Sequence, residues 1–464
     1  AICIGLCLFG IRGRMGYNPI KVSQAYYCED PFLNQLGVNP VFNLLTSTLD
    51  DNRKENRTLH LMSEEDALSK VQKYLHRQGI DRLSPIARKV EREGTPNRRN
   101  VVLVFMESMS ANLMGTFGSD KKLTPYLDSL YQQSLSFSHF YSSGIHTNHG
   151  IYFTLYSFPA IMKRNAMKGS VIPVYSGLPT VLQENGYCNL FFMTHESQYD
   201  NMNAFLRTNG FDEIYAQENY PSEKVVNSFG VQDDFMYQYA LPILNERAGT
   251  GNPFFSVLLS ISNHPPYVIP PYFHPHSDVL EEQIVEYADW SIRQFMQAAE
   301  KQSWFDNTIF VFLGDHGKMV GTPECEMPQS YNHIPLMIYG KDIKPGVYDG
   351  FGGQVDVSPT LLGLLNISYL QNNFGVNLLE EERPCMFFTA DNLIGARDSV
   401  NMFIYSPDSQ QEFKYKLEEG KLRAATGTDE EAFRNLKDYC FSMLQSTESL
   451  VKEHKTLDKV SVKK

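Results

Sequence analysis

The sequence lacks any recognisable spacing of its cysteines, and it lacks an excess of positive charge. Its seven cysteines are scattered through 464 residues, with neither a Cys-x-x-Cys pair nor zinc-ribbon spacing. No disulfide framework can be inferred from them, and their odd number indicates free thiols. With 41 Lys and Arg against 53 Asp and Glu, the formal net charge is −12. This balance argues against a nucleic-acid partner, because a phosphate backbone requires a basic face.

The sequence also lacks internal repeats and low-complexity tracts. Hydrophobic residues make up 42% and charged residues 20% of the chain, which excludes a mostly disordered or fibrous protein. At roughly 150 residues per domain, the length predicts about three units, or one large α/β domain with attachments.

The first ten residues are apolar and uncharged. A helix needs about 20 residues to cross a bilayer, and this segment has neither the initiator Met nor the basic start of a signal peptide. We therefore predict that residues 1–10 are the truncated end of a longer transmembrane helix, with a buried N-terminal strand as the alternative. Arg12 and Arg14 follow directly, and the positive-inside rule would place them in the cytoplasm.

Residues 11–97 are predicted to form a juxtamembrane helical stem. Within the stem, Ser63 precedes three acidic residues, and Leu68, Val71 and Leu75 share one helical face. This pattern is typical of a capped amphipathic helix.

Residues 98–380 alternate between strands and helices, as expected of a catalytic α/β domain. Val101–Phe105 is a continuous apolar run of the kind found in parallel strands that are buried on both faces. The alternation predicts a doubly wound, mostly parallel sheet flanked by helices. Residues 381–464 change to short alternating strands and a final helix, which predicts a small C-terminal antiparallel α+β subdomain.

Polar clusters follow the predicted strands or lie in the loops between them. Because the carboxyl ends of parallel strands face one crevice, groups that are distant in sequence can converge there. Carboxylates, imidazoles and a hydroxyl together form a ligand set for Zn²⁺ or Mn²⁺. The clusters contain Glu107, Thr147, Asn263, His264, Asp315 and His316.

Each cluster has a simpler explanation when it is taken alone. A carboxylate such as Glu107 commonly faces solvent, Asp315 is suited to capping a helix, and His264 to bonding a loop carbonyl. For His146 and His149 we expect only local hydrogen bonds. The clusters are four, around Glu107, Thr147, His264 and Asp315, and each follows a predicted strand or lies in a loop between strands. Four such coincidences along one chain favour a single joint site.

These clusters, with Asn100–Ser108, Thr124–Asp128 and Val355–Leu362, resemble the alkaline phosphatase/sulfatase superfamily. Within it, the sequence is most similar to the membrane-anchored lipoteichoic acid synthase branch, the sulfatase-like phosphoglycerol transferases. The resemblance implies an alkaline phosphatase-like fold and one divalent metal ion, Mn²⁺ or Zn²⁺, with Mg²⁺ also compatible. The ligands that it implies are Glu107, Thr147, Asp315 and His316.

Two departures from the family pattern bear on the substrate. Residues 145–159 lack the Cys/Ser-x-Pro-x-Arg motif of arylsulfatases, which disfavours sulfate-ester hydrolysis. In similar synthases, an Arg and a Trp that follow a His contact phosphoglycerol. Here His195 matches the His, Tyr199 stands in place of the Trp, and Asn201 is the residue nearest to the missing Arg. We predict that these three residues, together with Asn263 and His333, bind the substrate. For His333 the alternatives are a second metal site and simple packing in the core.

The predicted function is transfer of a phosphoglycerol-like or phosphoethanolamine-like group from a phospholipid donor to an envelope glycan or lipid. Thr147 would attack phosphorus to give a phosphothreonine, and His264 would protonate the leaving alkoxide or hold a phosphate oxygen. The alternatives are a phosphodiesterase or phosphatase of the same superfamily and a non-catalytic domain that binds glycan or phospholipid. The resemblance places the enzyme at the cell membrane with its catalytic domain on the extracytoplasmic side, contrary to the Arg12 and Arg14 indication.

Overall fold

The computed structural model describes residues 2–14, 20, 25–27, 31–51, 58–168, 172–418, 421–426 and 430–457. The strands are β1 (Arg88–Val90), β2 (Asn100–Met106), β3 (Leu135–Tyr141), β4 (Cys188–Met193), β5 (Glu213–Tyr215), β6 (Val225–Asn227), β7 (Gly230–Val231), β8 (Phe254–Leu259), β9 (Thr308–Gly314), β10 (Leu336–Tyr339), β11 (Gly346–Gly353), β12 (Tyr369–Gln371), β13 (Met386–Thr389), β14 (Ile394–Arg397), β15 (Asn401–Ser406), β16 (Gln411–Glu418) and β17 (Lys421–Ala424). The helices are α1 (Ile2–Arg12), α2 (Pro31–Leu36), α3 (Pro40–Asp51), α4 (Glu64–Tyr74), α5 (Pro125–Gln133), α6 (Thr147–Tyr156), α7 (Leu178–Glu184), α8 (Met202–Thr208), α9 (Asp233–Ala248), α10 (Leu280–Ala299), α11 (Val357–Leu364) and α12 (Glu430–Lys452).

The centre of the molecule is an eight-stranded sheet in the order β11-β3-β10-β9-β2-β8-β4-β5. Every neighbouring pair is parallel except the two pairs that β10 makes with β3 and β9. The predicted doubly wound, mostly parallel sheet is therefore confirmed. Its middle strands are the continuous apolar runs of the sequence, because helices cover both of their faces.

The two faces of the sheet bury separate cores. In β2, alternate residues from Val101 to Phe105 pack on the side of α6 and α12. The intervening residues from Val102 to Met106 pack on the side of α9 and α10. This division follows from the two-residue period of a strand.

The C-terminal region is a five-stranded antiparallel sheet, β13 to β17 in order, with α12 packed against it. The predicted small antiparallel subdomain with a closing helix is thus confirmed. Arg383 joins it to the large sheet, since its guanidinium donates to both carboxylate oxygens of Asp356 (2.6 and 2.7 Å) and to the hydroxyl of Tyr439 in α12 (3.0 Å).

The predicted stem is helical in part and packs on the rest of the fold. Ser63 caps α4 by accepting a hydrogen bond from the amide of Asp66, as predicted. The ring of Tyr74 in α4 lies 5.0 Å from that of Tyr439 in α12, and β1 pairs with β12. Residues 58–97 therefore share one folded unit with the C-terminal helix, and the domain boundary at residue 98 stays a prediction.

The N-terminal segment forms helix α1, so the alternative of a buried strand is wrong. Over the described part of the chain, no helix is both long and apolar enough to cross a membrane. Six of the seven cysteines are free thiols, as expected from their number, and Cys28 lies outside the described residues.

Candidate metal and nucleophile site

The carboxyl ends of two adjacent strands bring three potential metal ligands together. Glu107 directly follows β2, and Asp315 and His316 directly follow β9. One ligand atom from each residue lies within 4.8 Å of the others. Both carboxylates are buried, and the imidazole is nearly so.

Ser108 organises the two carboxylates. Its backbone amide donates to Asp315 Oδ1 (2.8 Å) and its hydroxyl donates to Glu107 Oε1 (2.8 Å). It adopts a φ of 51°, a left-handed conformation that is costly for a residue with a Cβ and that here aims its amide and hydroxyl at the two carboxylates. The other carboxylate oxygen of Asp315, Oδ2, is buried without a hydrogen-bond partner among the described residues.

The hydrogen bonds of His316 prepare its ring to bind a cation. Nδ1 lies 2.7 Å from the Gly317 carbonyl oxygen, so this nitrogen carries the proton. The lone pair of Nε2 then faces Asp315 Oδ2 at 3.5 Å and Glu107 Oε1 at 3.9 Å. A carbonyl that fixes the imidazole in this way is typical of metal-binding histidines.

The charges of the cluster also fit a divalent cation. Burial raises the pKa of Glu107 well above its ordinary value, and the neighbouring charge of Asp315 raises it further. A cation would relieve this repulsion and satisfy the unpartnered oxygen of Asp315. Two carboxylates and one neutral imidazole suit Mn²⁺ or Zn²⁺.

Thr147 is placed beside this cluster by helix α6. It is the first residue of the helix, and its Oγ1 donates to Glu107 Oε2 at 3.4 Å. Gly150, one turn along, lets the helix approach the loop after β9, because a Cβ there would lie 2.2 Å from the Asp315 carbonyl oxygen. The positive end of the helix therefore points toward the cluster, which favours an anionic group near Thr147.

The two histidines beside Thr147 make local contacts, as expected. His146 Nε2 lies 2.6 Å from Asp391 Oδ1, and His149 Nε2 lies 3.2 Å from the Arg164 carbonyl oxygen. Burial lowers the pKa of His149 to about 3, so this ring is neutral at physiological pH.

Asn263 and His264 come from the loop after β8, next to β2 in the sheet. The Asn263 amide donates to the carbonyl oxygen of Ser108 at 3.1 Å, which ties this loop to the cluster. His264 Nδ1 lies 2.7 Å from the Pro265 carbonyl oxygen, so Nε2 is the nitrogen left for a substrate. Burial, as the main cause, lowers the pKa of His264, and His316 lowers it further.

Two of the three residues predicted after β4 are near enough to site residues to interact electrostatically, Tyr199 with Glu107 and His195 with His264. The rings of His195 and Tyr199 are 4.8 Å apart. Burial, Asp200 and Glu107 raise the pKa of Tyr199 to about 12. Asn201 instead donates its amide to the carbonyl oxygen of Met167 at 2.8 Å. One of its two amide hydrogens is thus bound by the protein, and substrate binding by Asn201 stays a prediction.

His333 is placed for packing rather than for metal binding. Its ring lies between those of Tyr141 (5.2 Å) and Phe117 (5.1 Å), and its Nε2 lies 2.9 Å from the Ser138 carbonyl oxygen. Of the interpretations offered for this residue, the structure favours packing.

Lys318 is a site residue that the sequence reasoning missed. Its Nζ donates to Asn263 Oδ1 at 2.6 Å and lies 5.6 Å from the ring centre of Tyr267. Burial lowers the pKa of Lys318 to about 8, and Glu281 and Glu107 oppose that shift. The only signal in the sequence is its position two residues after His316, where a lysine would ordinarily be taken as solvated.

The comparisons with known proteins agree on the family and fold. A family model described as Sulfatase matches residues 99–367. The chain is 24% identical over 360 residues to the lipoteichoic acid synthase-like YvgJ of Bacillus subtilis (strain 168), covering 71% of this chain and 56% of that protein. The chain thus spans about half the length of the curated relatives it matches.

Two solved structures share the fold. A protein in the alkaline phosphatase superfamily from Vibrio parahaemolyticus has a TM-score of 0.77 at 24% identity, covering 87% of this chain and 99% of that one. The lipoteichoic acid synthase LtaP from Listeria monocytogenes has a TM-score of 0.66 at 21% identity, covering 83% and 98%. These two structures confirm the predicted fold. The Sulfatase family model and the curated lipoteichoic acid synthase-like relative confirm the predicted resemblance to the superfamily and to its lipoteichoic acid synthase branch.

Proposed function

The chain belongs to the Sulfatase family, and on that premise we propose that it is a metal-dependent phosphotransferase with Thr147 as its nucleophile. The group transferred is phosphoglycerol-like or phosphoethanolamine-like, taken from a phospholipid and delivered to an envelope glycan or lipid. The observation that carries this proposal is a threonine hydroxyl at a helix N-terminus, 3.4 Å from a carboxylate of a three-ligand cluster.

Glu107, Asp315 and His316 would hold one divalent cation, Mn²⁺ or Zn²⁺, with Mg²⁺ also compatible; the family resemblance adds the Thr147 oxygen as a ligand. Bound there, the cation would acidify the Thr147 hydroxyl and neutralise charge on the phosphodiester. The unpartnered Oδ2 of Asp315 and the Nε2 lone pair of His316 support this assignment.

The chain's own residues position the reacting groups. The Thr147 oxygen forms a bond to phosphorus as the bond to the donor alkoxide breaks, and the hydroxyl proton leaves along its hydrogen bond to Glu107. The ring nitrogen that His264 has left for the substrate is Nε2, because its Nδ1 proton is held by the Pro265 carbonyl. In the neutral ring Nε2 is a lone-pair acceptor, so His264 would take up a proton, such as the one released from Thr147, before it protonates the departing oxygen. An acceptor hydroxyl then displaces Thr147 from phosphorus, which restores the threonine.

The names of the relatives support transfer over hydrolysis and a reaction at the cell membrane. The relative and one of the structural neighbours carry the name lipoteichoic acid synthase or synthase-like. We place the catalytic domain on the extracytoplasmic side, where a phospholipid donor and an envelope acceptor meet.

The test is turnover of phosphatidylglycerol and phosphatidylethanolamine vesicles by the purified chain, with Mn²⁺ or with a chelator. We expect diacylglycerol release that requires the metal and that falls by about a thousandfold or more in Thr147→Ala. Mass spectrometry of the wild-type protein should detect a phosphorylated adduct on Thr147. Thr250→Ala, which alters an exposed threonine after α9, should leave turnover unchanged.

Product analysis separates the alternatives. A head group recovered on an added glycan or lipid acceptor indicates a transferase, and a head group recovered free indicates a phosphodiesterase. Undiminished turnover in Thr147→Ala would contradict the proposed nucleophile, and absence of both metal binding and turnover in the wild type would favour a binding domain.

A further inference from the structure

Lys318 brings a positive charge to the edge of the metal cluster without an acidic partner of its own. Its Nζ donates to the neutral amide oxygen of Asn263 at 2.6 Å. Over the described residues, no carboxylate lies within ion-pairing distance of this ammonium, although Glu107 and Glu281 are near enough to act on it electrostatically. A half-buried cation that is held by an amide keeps its charge available to a ligand.

His195 and His264 do not provide this charge. Burial lowers the pKa of His195 and of His264 below the ordinary histidine value. Both rings are therefore neutral at physiological pH and act as hydrogen-bonding groups. An anionic substrate approaching Glu107 and Asp315 needs a compensating cation from the protein as well as from the metal.

Asn263 fixes the position of Lys318 relative to the cluster. Its amide oxygen accepts from Lys318, while its amide nitrogen donates to the Ser108 carbonyl oxygen. Ser108 in turn donates to Glu107 and to Asp315. The ammonium is thus connected to the proposed metal ligands through two intervening residues.

We propose that the Lys318 ammonium binds a non-bridging phosphate oxygen of the substrate and sets the affinity of the site for phosphate anions. An ammonium has three donors, and the single bond to Asn263 leaves two for a ligand. The inference rests on the proposed function for the nature of the substrate. The binding of phosphate to Lys318 can nevertheless be measured without turnover.

The experiment measures the affinity of the whole chain for inorganic phosphate in a Thr147→Ala background by calorimetry, with and without Mn²⁺. Lys318→Gln, which keeps a donor for Asn263 but removes the charge, should weaken phosphate binding by about 10- to 100-fold. Lys318→Arg, which keeps the charge, should stay within about threefold of the parent. Lys341→Met, which alters an exposed lysine paired with Asp306, should have no effect.

Steady-state kinetics on a phosphodiester, in the protein that retains Thr147, provide a second readout. We expect Lys318→Gln to raise KM more than it lowers kcat, a split that a general loss of structure would not give. Phosphate affinity unchanged in Lys318→Gln, or reduced equally in Lys318→Gln and Lys318→Arg, would overturn the inference. If phosphate binds through Lys318 but phosphodiesters are not turned over, only the proposed function fails.

Discussion

Glu107 and Asp315 place two buried carboxylates side by side, directly after the adjacent strands β2 and β9. Their charges are compatible with burial only because Ser108, His316 and a cation can each compensate part of them. Burial and, to a smaller extent, repulsion by Asp315 raise the pKa of Glu107, because both disfavour its charged form. We expect this conflict between burial and charge to lower the stability of the protein when no cation is bound.

Replacing Glu107 tests this balance. Glu107→Gln removes one of the two repelling charges at constant size, so we expect the melting temperature in chelator to rise or stay the same. The stabilisation by added Mn²⁺ or Zn²⁺, about 3 kcal/mol for the wild type at a hundredfold excess over Kd, should be lost. Thermal unfolding with and without metal measures both effects. A metal-induced shift equal to that of the wild type would contradict the ligand assignment.

At the scale of elements, helix α6 positions Thr147, the proposed nucleophile, by close contact with the loop after β9. A Cβ at Gly150 would lie 2.2 Å from the Asp315 carbonyl oxygen, which is backbone and cannot turn away. We expect Gly150→Ala to cost about 1–3 kcal/mol of stability and at least about tenfold in turnover, because Thr147 would move from the cluster. Urea unfolding and kinetics provide the measurements.

Gly346 offers the matched control for this helix. It lies in β11, its φ is not positive, and a methyl group added to its Cα would have no other atom within 4 Å. Gly346→Ala should leave both stability and turnover near those of the wild type. Equal effects of the two substitutions would show that the contact between α6 and Asp315 is unimportant.

His333, which precedes β10, gives the fold a sensitivity to acid. Burial lowers its pKa from 6.5 to about 4, with His139 and Arg397 acting in the same direction. The unfolded chain then binds a proton more readily than the native one, so this contribution to stability is complete above pH 6.5 and is lost as the pH falls toward 4. The loss amounts to about 1–3 kcal/mol.

His333→Phe should remove this dependence while keeping the packing against Phe117 and Tyr141. It leaves the Ser138 carbonyl without its donor, so we expect it to be less stable at pH 7 by about 1–2 kcal/mol. Urea unfolding at several pH values from 7 to 4.5 measures the difference between the two proteins. A constant difference across that range would refute the assignment of the acid sensitivity to His333.

At the scale of the whole molecule, Arg383 joins the large sheet to the C-terminal subdomain. It and Asp356 are fully buried, and Arg383 also reaches Tyr439 in α12. Arg383→Met should cost about 3–5 kcal/mol, because it leaves the Asp356 charge buried without a partner. Adding Asp356→Asn should recover part of that loss. Urea unfolding of the single and double variants measures both.

The control for this pair is on helix α12 itself. Lys437 pairs with Glu412 at the surface (2.6 Å), and Lys437→Met should change stability by less than about 1 kcal/mol. If Arg383→Met has an effect as small as that of Lys437→Met, the buried pair does not stabilise the junction.

Local patterns predict those elements whose environment is uniform along their length. The strands β2, β8 and β9 are buried along their whole length and mostly apolar, because helices cover both faces. The strands β11 and β3 are the edge strand and its neighbour on one side of the sheet. Polar residues or glycines interrupt them, so no apolar run indicates them. Glu107 and Asp315 were predictable because each directly follows an apolar run.

By itself, the sequence determined the central strands of the sheet, the carboxyl ends of those strands and the family resemblance, since apolar runs and the residues that follow them are local properties of the chain. The tertiary structure alone decided which further polar residues lie beside the predicted ligands. It brought Lys318 to Asn263 beside the cluster, and it placed His333 between two aromatic rings. Charge and packing of this kind depend on neighbours that are distant along the chain, and a local pattern carries no information about them.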